Sequence, residues 1–323
     1  MRPSRKYLAP AAALAGAGLL AWLIARVGPA RLFELWDTVR PILPILAALT
    51  GLRYVLQAAG WRLATRATER PGWGPTLAGV VAGEGAGYVA GGMMAREPIK
   101  FLFVRDRVPT RVAVSGAAVE RLASVSAGAV MILAGLTTLA VERAPHLLLW
   151  GLGVAFVTSM LVVGLLRHVR SHRVEGTTSS PPTALRRALA SSIDISADLW
   201  RNRRPALAAI GALGLGQEAV NVAEGYLVLT WIGAAPALAT VIAFEGVSRA
   251  VNSAAQFVPG RLGVSEATST LAAGTVHLNP AYGLSLALAR RGRSLLWAIV
   301  GLSLLVIHNI PRRATSPALA AGE

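Results

Sequence analysis

Apolar stretches the length of a bilayer crossing alternate with short basic segments along the chain. A lipid-spanning helix needs roughly 20 mostly apolar residues. By that measure the pattern predicts spans at about 8–24, 42–63, 112–140, 147–166, 205–231 and 281–307. The first follows Arg2, Arg5 and Lys6 and is read as a retained helix; the small residues from Ala9 to Ala17 leave signal-peptide cleavage as the alternative. Two further apolar stretches do not read as single crossings. Residues 76–94 are rich in glycine (Gly79, Gly83, Gly85, Gly87, Gly91 and Gly92) and have basic clusters on both sides. Those clusters are Arg62, Arg66 and Arg70 before, and Arg96, Lys100, Arg105, Arg107 and Arg111 after. If both are cytoplasmic, the segment enters and returns as a hairpin of two short helices, with glycine suiting the turn. Residues 237–258 and 262–276 form a second pair, broken at Pro259-Gly260-Arg261.

The expected fold is an all-α polytopic membrane protein with about six full spans and two re-entrant helical hairpins in an inverted-repeat arrangement. A single transmembrane domain, 1–313, divides into a first half at about 42–166, a basic cytoplasmic loop at 167–204 and a second half at 205–308. Within the loop, residues 183–200 read as an interfacial helix and 176–182 as a linker. A disordered tail follows at 314–323. Discontinuous helices in inverted repeats place transporter sites near the midplane between the halves. One echo agrees: Glu84-Gly85 precedes Pro98 by 14 residues, and Glu245-Gly246 precedes Pro259 by 14.

Composition sharpens this picture. Hydrophobic residues make up 54% and charged residues 15%, against about 25% charged in soluble domains. Such a chain has too much apolar surface for one core in water. A net charge of +16 would suggest nucleic acid in a soluble protein. Here the basic residues are spread over loops flanking the spans, which is the positive-inside pattern. No nucleic acid is therefore expected, both termini are placed in the cytoplasm, and the location is the bacterial inner membrane. The external loop with Arg26, Arg31 and Arg40 beside Glu34 and Asp37 fits the rule least well. The chain has no Cys, which excludes disulfides and Cys-based metal sites. It lacks a P-loop, an HExxH and a GxSxG, so no ATP hydrolysis, catalytic residue, metal or cofactor is expected. His168 and His172 lie in the basic loop, and His146, His277 and His308 at predicted helix ends.

The charges inside the apolar segments carry the functional information. They are Glu84, Glu120, Glu218, Glu224, Glu245 and Glu266, with Arg53, Arg121, Arg249, Arg261, Arg290, Arg291 and Arg293. Each costs about 2.5–3.5 kcal/mol at a span centre. Near balance of sign therefore implies a buried or water-lined ionic network, either structural or forming a pathway. Gln217, Glu218, Asn221 and Glu224 share one helix face. Glu245, Arg249, Asn252 and Gln256 repeat the pattern, and Arg53 and Gln57 do so at i, i+4. Glu120 and Arg121 are neighbours and need different partners. Arg290, Arg291 and Arg293 either hold an anion, such as a lipid phosphate, or pair with Glu245 and Glu266. At Pro259-Gly260-Arg261-Leu262-Gly263 the helix breaks, and its restart offers free N–H groups to an anion. Glu266, in the restarted first turn, either complements that dipole or belongs to the site. Arg96-Glu97-Pro98-Ile99-Lys100 takes the equivalent place in the first half.

These same residues carry a resemblance. Arg96-Glu97-Pro98-Ile99-Lys100, Glu120-Arg121-Leu122, the run from Glu245 to Asn252, Pro259-Gly260-Arg261-Leu262-Gly263 with Glu266, and Arg290-Arg291 resemble the flippase-like transmembrane domain of lysylphosphatidylglycerol synthase. The likeness covers roughly 42–308 and departs from the pattern at Ala95, where Gly is expected. Free-standing members, including a hopanoid-associated branch, consist of this domain alone. The resemblance implies binding and translocation of a polar or anionic lipid. It gives no support for lysyl transfer, because the soluble aminoacyl-transferring domain is not expected beyond the last helix. A membrane lipid is thus the expected partner, with the oligomeric state open. The residues expected to contact it are Arg96, Glu97, Lys100, Glu120, Arg121, Glu218, Asn221, Glu245, Arg249, Asn252, Pro259, Gly260, Arg261, Gly263, Glu266, Arg290, Arg291 and Arg293. Two other readings stay open: an intramembrane transferase acting on a polyprenyl or hopanoid lipid, and a non-transporting membrane subunit of a lipid-modifying complex.

Overall fold

The computed structural model describes residues 37–90, 93–143, 198–199, 201–254 and 263–309. Outside them lie the expected spans at 8–24 and 147–166, most of the basic loop with its interfacial helix, Pro259, Gly260, Arg261 and the tail. The described residues are helical throughout, with no strand among them. Eight α-helices follow in order: α1 (Leu43–Ala64), α2 (Trp73–Ala90), α3 (Met93–Leu102), α4 (Thr110–Arg143), α5 (Arg204–Trp231), α6 (Leu238–Ala254), α7 (Val264–Thr275) and α8 (Pro280–Asn309).

The punctuation is that of the sequence. Proline sits in the first turns of α1 and α5, where its missing N–H is no loss. Asn279 Oδ1 accepts the Ala281 N–H at the start of α8. After α5 the chain turns through Gly233 and Ala235, both at positive φ, and Gly263 with φ 74° precedes α7. The expected break at Pro98 is not there. Pro98 lies inside α3, past its first turn, so the helix gives up one backbone hydrogen bond. The described part of α2 ends at Ala90, and α3 begins at Met93.

Among the described residues, four helical stretches are long and apolar enough to cross a membrane: Asp37–Ala64, Val112–Val141, Arg204–Trp231 and Pro280–His308. At most 33% of each apolar window is buried within the protein. Faces this apolar and this open require lipid around them. This is a multi-pass membrane protein.

The order of lengths repeats. A long helix, a shorter pair and a long helix (α1 to α4) are followed by the same sequence (α5 to α8). The packing is close to self-consistent under exchange of the halves. Helices α1 and α5 pack on each other, α2 packs on α8, and α6 packs on α4. Within the first pair, α2 and α3 run antiparallel: a Cβ on Gly79 would lie 2.8 Å from the Lys100 carbonyl oxygen, and one on Gly83 2.8 Å from that of Arg96.

The exchange gives the Glu-Gly echo a physical meaning. Gly85 of α2 meets Gly301 of α8, and Gly246 of α6 meets Gly135 of α4. Each glycine removes the side chain that would hold two helix backbones apart. Each neighbouring glutamate, Glu84 or Glu245, thereby turns inward to the space between the halves.

Candidate functional site

That space is a polar cavity of about 300 Å³. All eight helices reach it: Arg53 from α1, Glu84 and Tyr88 from α2, Arg96 from α3 and Arg121 from α4. Glu218 and Asn221 come from α5, Glu245, Ser248, Arg249 and Asn252 from α6, Ser265 and Ser269 from α7, and Arg290, Arg291 and Arg293 from α8. A second polar chamber of about 390 Å³ adjoins it, shares Arg53, Glu84, Arg96, Arg121 and Arg249, and adds Gln57 and Gln217.

The carboxylates do not face the cavity alone. Arg96 Nη2 lies 2.8 Å from Glu84 Oε2, and Arg249 Nη2 lies 2.6 Å from Glu218 Oε1. Arg290 Nε donates to Glu224 Oε1 at 2.8 Å, while its Nη2 donates to Glu245 Oε1 and, at 3.3 Å, to the Asn221 carbonyl. Arg293 Nε sits 2.8 Å from Glu224 Oε2, and its Nη1 donates to Thr50 Oγ1 at 2.8 Å. Arg291 Nη2 approaches Glu266 Oε1 to 2.6 Å, an ion pair whose angles fall outside hydrogen-bond geometry. Glu266 itself is fully buried and accepts from Ser265 Oγ.

The three cations at 290–293 are thus each matched by an acid, and Glu266 is committed to Arg291. Seven arginines and five glutamates form the network, and every one of these glutamates has an arginine partner. Two positive charges are left over. They belong to Arg53 and Arg121, neither of which reaches a carboxylate among the described residues. Arg53 Nη1 donates to Asn221 Oδ1 at 3.0 Å, and Asn221 Nδ2 donates to Glu218 Oε2 at 3.2 Å. Arg121 has no hydrogen-bond partner among the described residues.

Not every expected site residue joins this cavity. Glu97, Lys100 and Glu120 form a separate cluster behind it, with Lys100 Nζ donating to Glu97 Oε1 at 3.1 Å. Glu120 is buried, and its Oε1 has no hydrogen-bond partner among the described residues. Lys100 and Arg121 are the nearby cations, and neither forms an ion pair with it among the described residues. Gly263 stands at the N-cap of α7 and does not line the cavity. Pro259, Gly260 and Arg261 lie outside the described residues. Conversely, Arg53, Glu84 and Glu224 belong to the network, as expected of charges in apolar segments, although they are not among the residues expected to contact the lipid. The available signal was that each is an ionisable group in an apolar segment.

An apolar groove of about 520 Å³ runs between α4, α5 and α6. Met131, Ala134, Ala219, Val222 and Ile242 line it, together with Glu218, which also lines both polar chambers. Residues on its rim, including Val130 and Leu238, are exposed.

No curated protein and no solved structure shows significant similarity to the chain. A family model does match, the lysylphosphatidylglycerol synthase TM region, over residues 9–302, a span that takes in every cavity residue named above. With nearly the whole chain matched, the protein belongs to the lysylphosphatidylglycerol synthase TM region family.

Proposed function

We propose that this protein binds the polar or anionic head group of a membrane lipid in the cavity between its halves and carries it across the bacterial inner membrane. The observation that carries the reading is a charged, net-positive cavity enclosed by helices whose outer faces are apolar. A head group moving through hydrocarbon loses its hydration, and fixed ion pairs and hydroxyls replace that water at little cost in reorganisation. The groove between α4, α5 and α6 supplies the rest of the path. It meets the polar chambers at Glu218, so a lipid can keep its head among the arginines and its chain along the groove. The sequence holds no nucleotide-binding motif, so movement is passive or coupled to ions through the buried glutamates. Both termini lie in the cytoplasm on the charge pattern of the loops.

The test is transbilayer movement of fluorescent lipids in vesicles containing the purified protein. Arg290→Ala and Glu245→Gln remove the two sides of one buried pair in the cavity wall. Loss of a charge-assisted contact is worth about 1.5–3 kcal/mol, so each variant is expected to slow movement about tenfold or more. Equal rates in all three proteins, or no rate above empty vesicles, would sink the reading.

A further inference from the structure

We infer that the cavity takes a phosphate monoester, a head group bearing close to two negative charges on one phosphorus, held between Arg53 and Arg121. This deepens the lipid-binding reading and rests on it. The first observation is the charge count. Within the cavity network five glutamates neutralise five of the seven arginines, and the remaining two cations line both polar chambers without an ion-pair partner among the described residues, Arg121 having the buried Glu120 behind the cavity as its nearby negative charge. Two uncompensated guanidiniums inside a protein are costly, and a ligand of charge near −2 removes that cost. A phosphodiester supplies one negative charge and leaves one guanidinium unmatched. A phosphate monoester carries about −1.5 to −2 at neutral pH and offers three acceptor oxygens. A head group bearing an added amine would place a further cation beside the two already there.

The second observation is independent of the count. Ser248, in the cavity wall, is 3% exposed and its Oγ has no hydrogen-bond partner. Buried hydroxyls are normally satisfied. One turn along α6, Asn252 Nδ2 donates one N–H to the Ser248 carbonyl, and Asn252 Oδ1 is likewise buried without a partner among the described residues. Ser248 Oγ is therefore a buried hydroxyl of the cavity wall without a partner among the described residues, and a phosphate oxygen drawn against that wall is an acceptor that suits it. Planar guanidiniums pair bidentately with phosphate oxygens, which adds geometry to charge. The source of the phosphate is a lipid, because the apolar groove shares the Glu218 wall with the cavity and gives a hydrocarbon chain its place beside it.

Binding to the purified full-length protein in neutral detergent tests this, using short-chain phosphatidic acid, phosphatidylglycerol of the same chains, and inorganic phosphate. Phosphatidic acid is expected to bind about tenfold more tightly than phosphatidylglycerol, the worth of one extra charge-assisted contact. Arg53→Gln and Arg121→Gln should each abolish that preference. Both are expected to fold, because neither arginine makes an ion pair with a carboxylate among the described residues, and unchanged melting would establish it. Ala223→Trp, which fills the groove, should weaken both lipids and leave inorganic phosphate unchanged. Equal affinity for the two lipids, or a preference that survives in both arginine variants, overturns the inference. Inorganic phosphate binding as tightly as phosphatidic acid overturns the lipid as its source. The outcomes separate this from the translocation reading: a preference without lipid movement removes translocation alone, and movement without a preference removes the phosphate monoester alone.

Discussion

Glu224→Gln is expected to destabilise the purified protein by about 3–5 kcal/mol, the cost of leaving buried charge unpaired. Glu224 is 1% exposed and is shared by two arginines, Arg290 on one oxygen and Arg293 on the other. A glutamine keeps the shape but offers one acceptor and turns an N–H toward the other guanidinium. Arg290 retains Glu245, whereas Arg293 retains only the neutral Thr50 hydroxyl. The charge of Arg293, whose side chain is 7% exposed, is then left without an acid and largely without water. Glu218→Gln makes the useful contrast. It removes the partner of Arg249, whose side chain is 36% exposed, so water takes over much of the contact and the loss is about 1 kcal/mol or less. Thermal unfolding in detergent reads both. Adding Arg293→Met to Glu224→Gln should restore part of the loss, because the orphaned charge leaves with its arginine. Similar losses for Glu224→Gln and Glu218→Gln would mean that burial does not set the strength of these pairs.

The long helices were legible because hydropathy over 20 or more residues is a strong signal. α1, α4, α5 and α8 lie within a few residues of the stretches expected at 42–63, 112–140, 205–231 and 281–307. The stripe from Gln217 to Glu224 was legible for the same reason, a polar period on an apolar helix, and its four members face inward. Pairing was not legible. Arg290 meets Glu224 and Glu245 at separations of 66 and 45 residues, and Arg293 meets Thr50 across 243, distances over which a sequence carries no geometric information. For that reason the dense cluster at 290–293 stood out as the anion holder, while the unpaired cations are Arg53 and Arg121, isolated in sequence. Pro98 misled for a local reason. A proline marks a break only when neighbouring contacts do not hold the helix together, and α3 is packed along α2 on both sides of it, at Arg96 and Lys100.

The crossing of α4 and α6 offers the second large effect. A Cβ on Gly135 would lie 2.7 Å from Gly246 Cα and 2.9 Å from the Ile242 carbonyl oxygen. A Cβ on Gly246 would lie 2.7 Å from Gly135 Cα and 2.9 Å from the Met131 carbonyl oxygen. These neighbours are backbone, so no rotamer change relieves them and the helices must separate. Gly135→Ala and Gly246→Ala are each expected to cost about 1–3 kcal/mol, after any gain in helix propensity. Gly211→Ala is the control. Nothing lies within 4 Å of its Cβ position on α5, so it should gain up to about 1 kcal/mol. The double variant Gly135→Ala/Gly246→Ala carries the decisive prediction. Once one methyl group has moved the helices apart, the second enters a gap already open. The two losses should therefore be sub-additive by at least about 0.5 kcal/mol, as for residues in direct contact. The same separation reaches the site. Seven residues before Gly135 on α4, Gly128 lies against the Arg249 guanidinium, with its Cβ position 2.8 Å from Nε, and α4 and α6 also form two walls of the groove. Lipid binding should accordingly weaken in both single variants while Gly211→Ala leaves it unchanged. Additive melting losses, or full binding in the double variant, would show that this glycine contact does not set the spacing of the cavity wall.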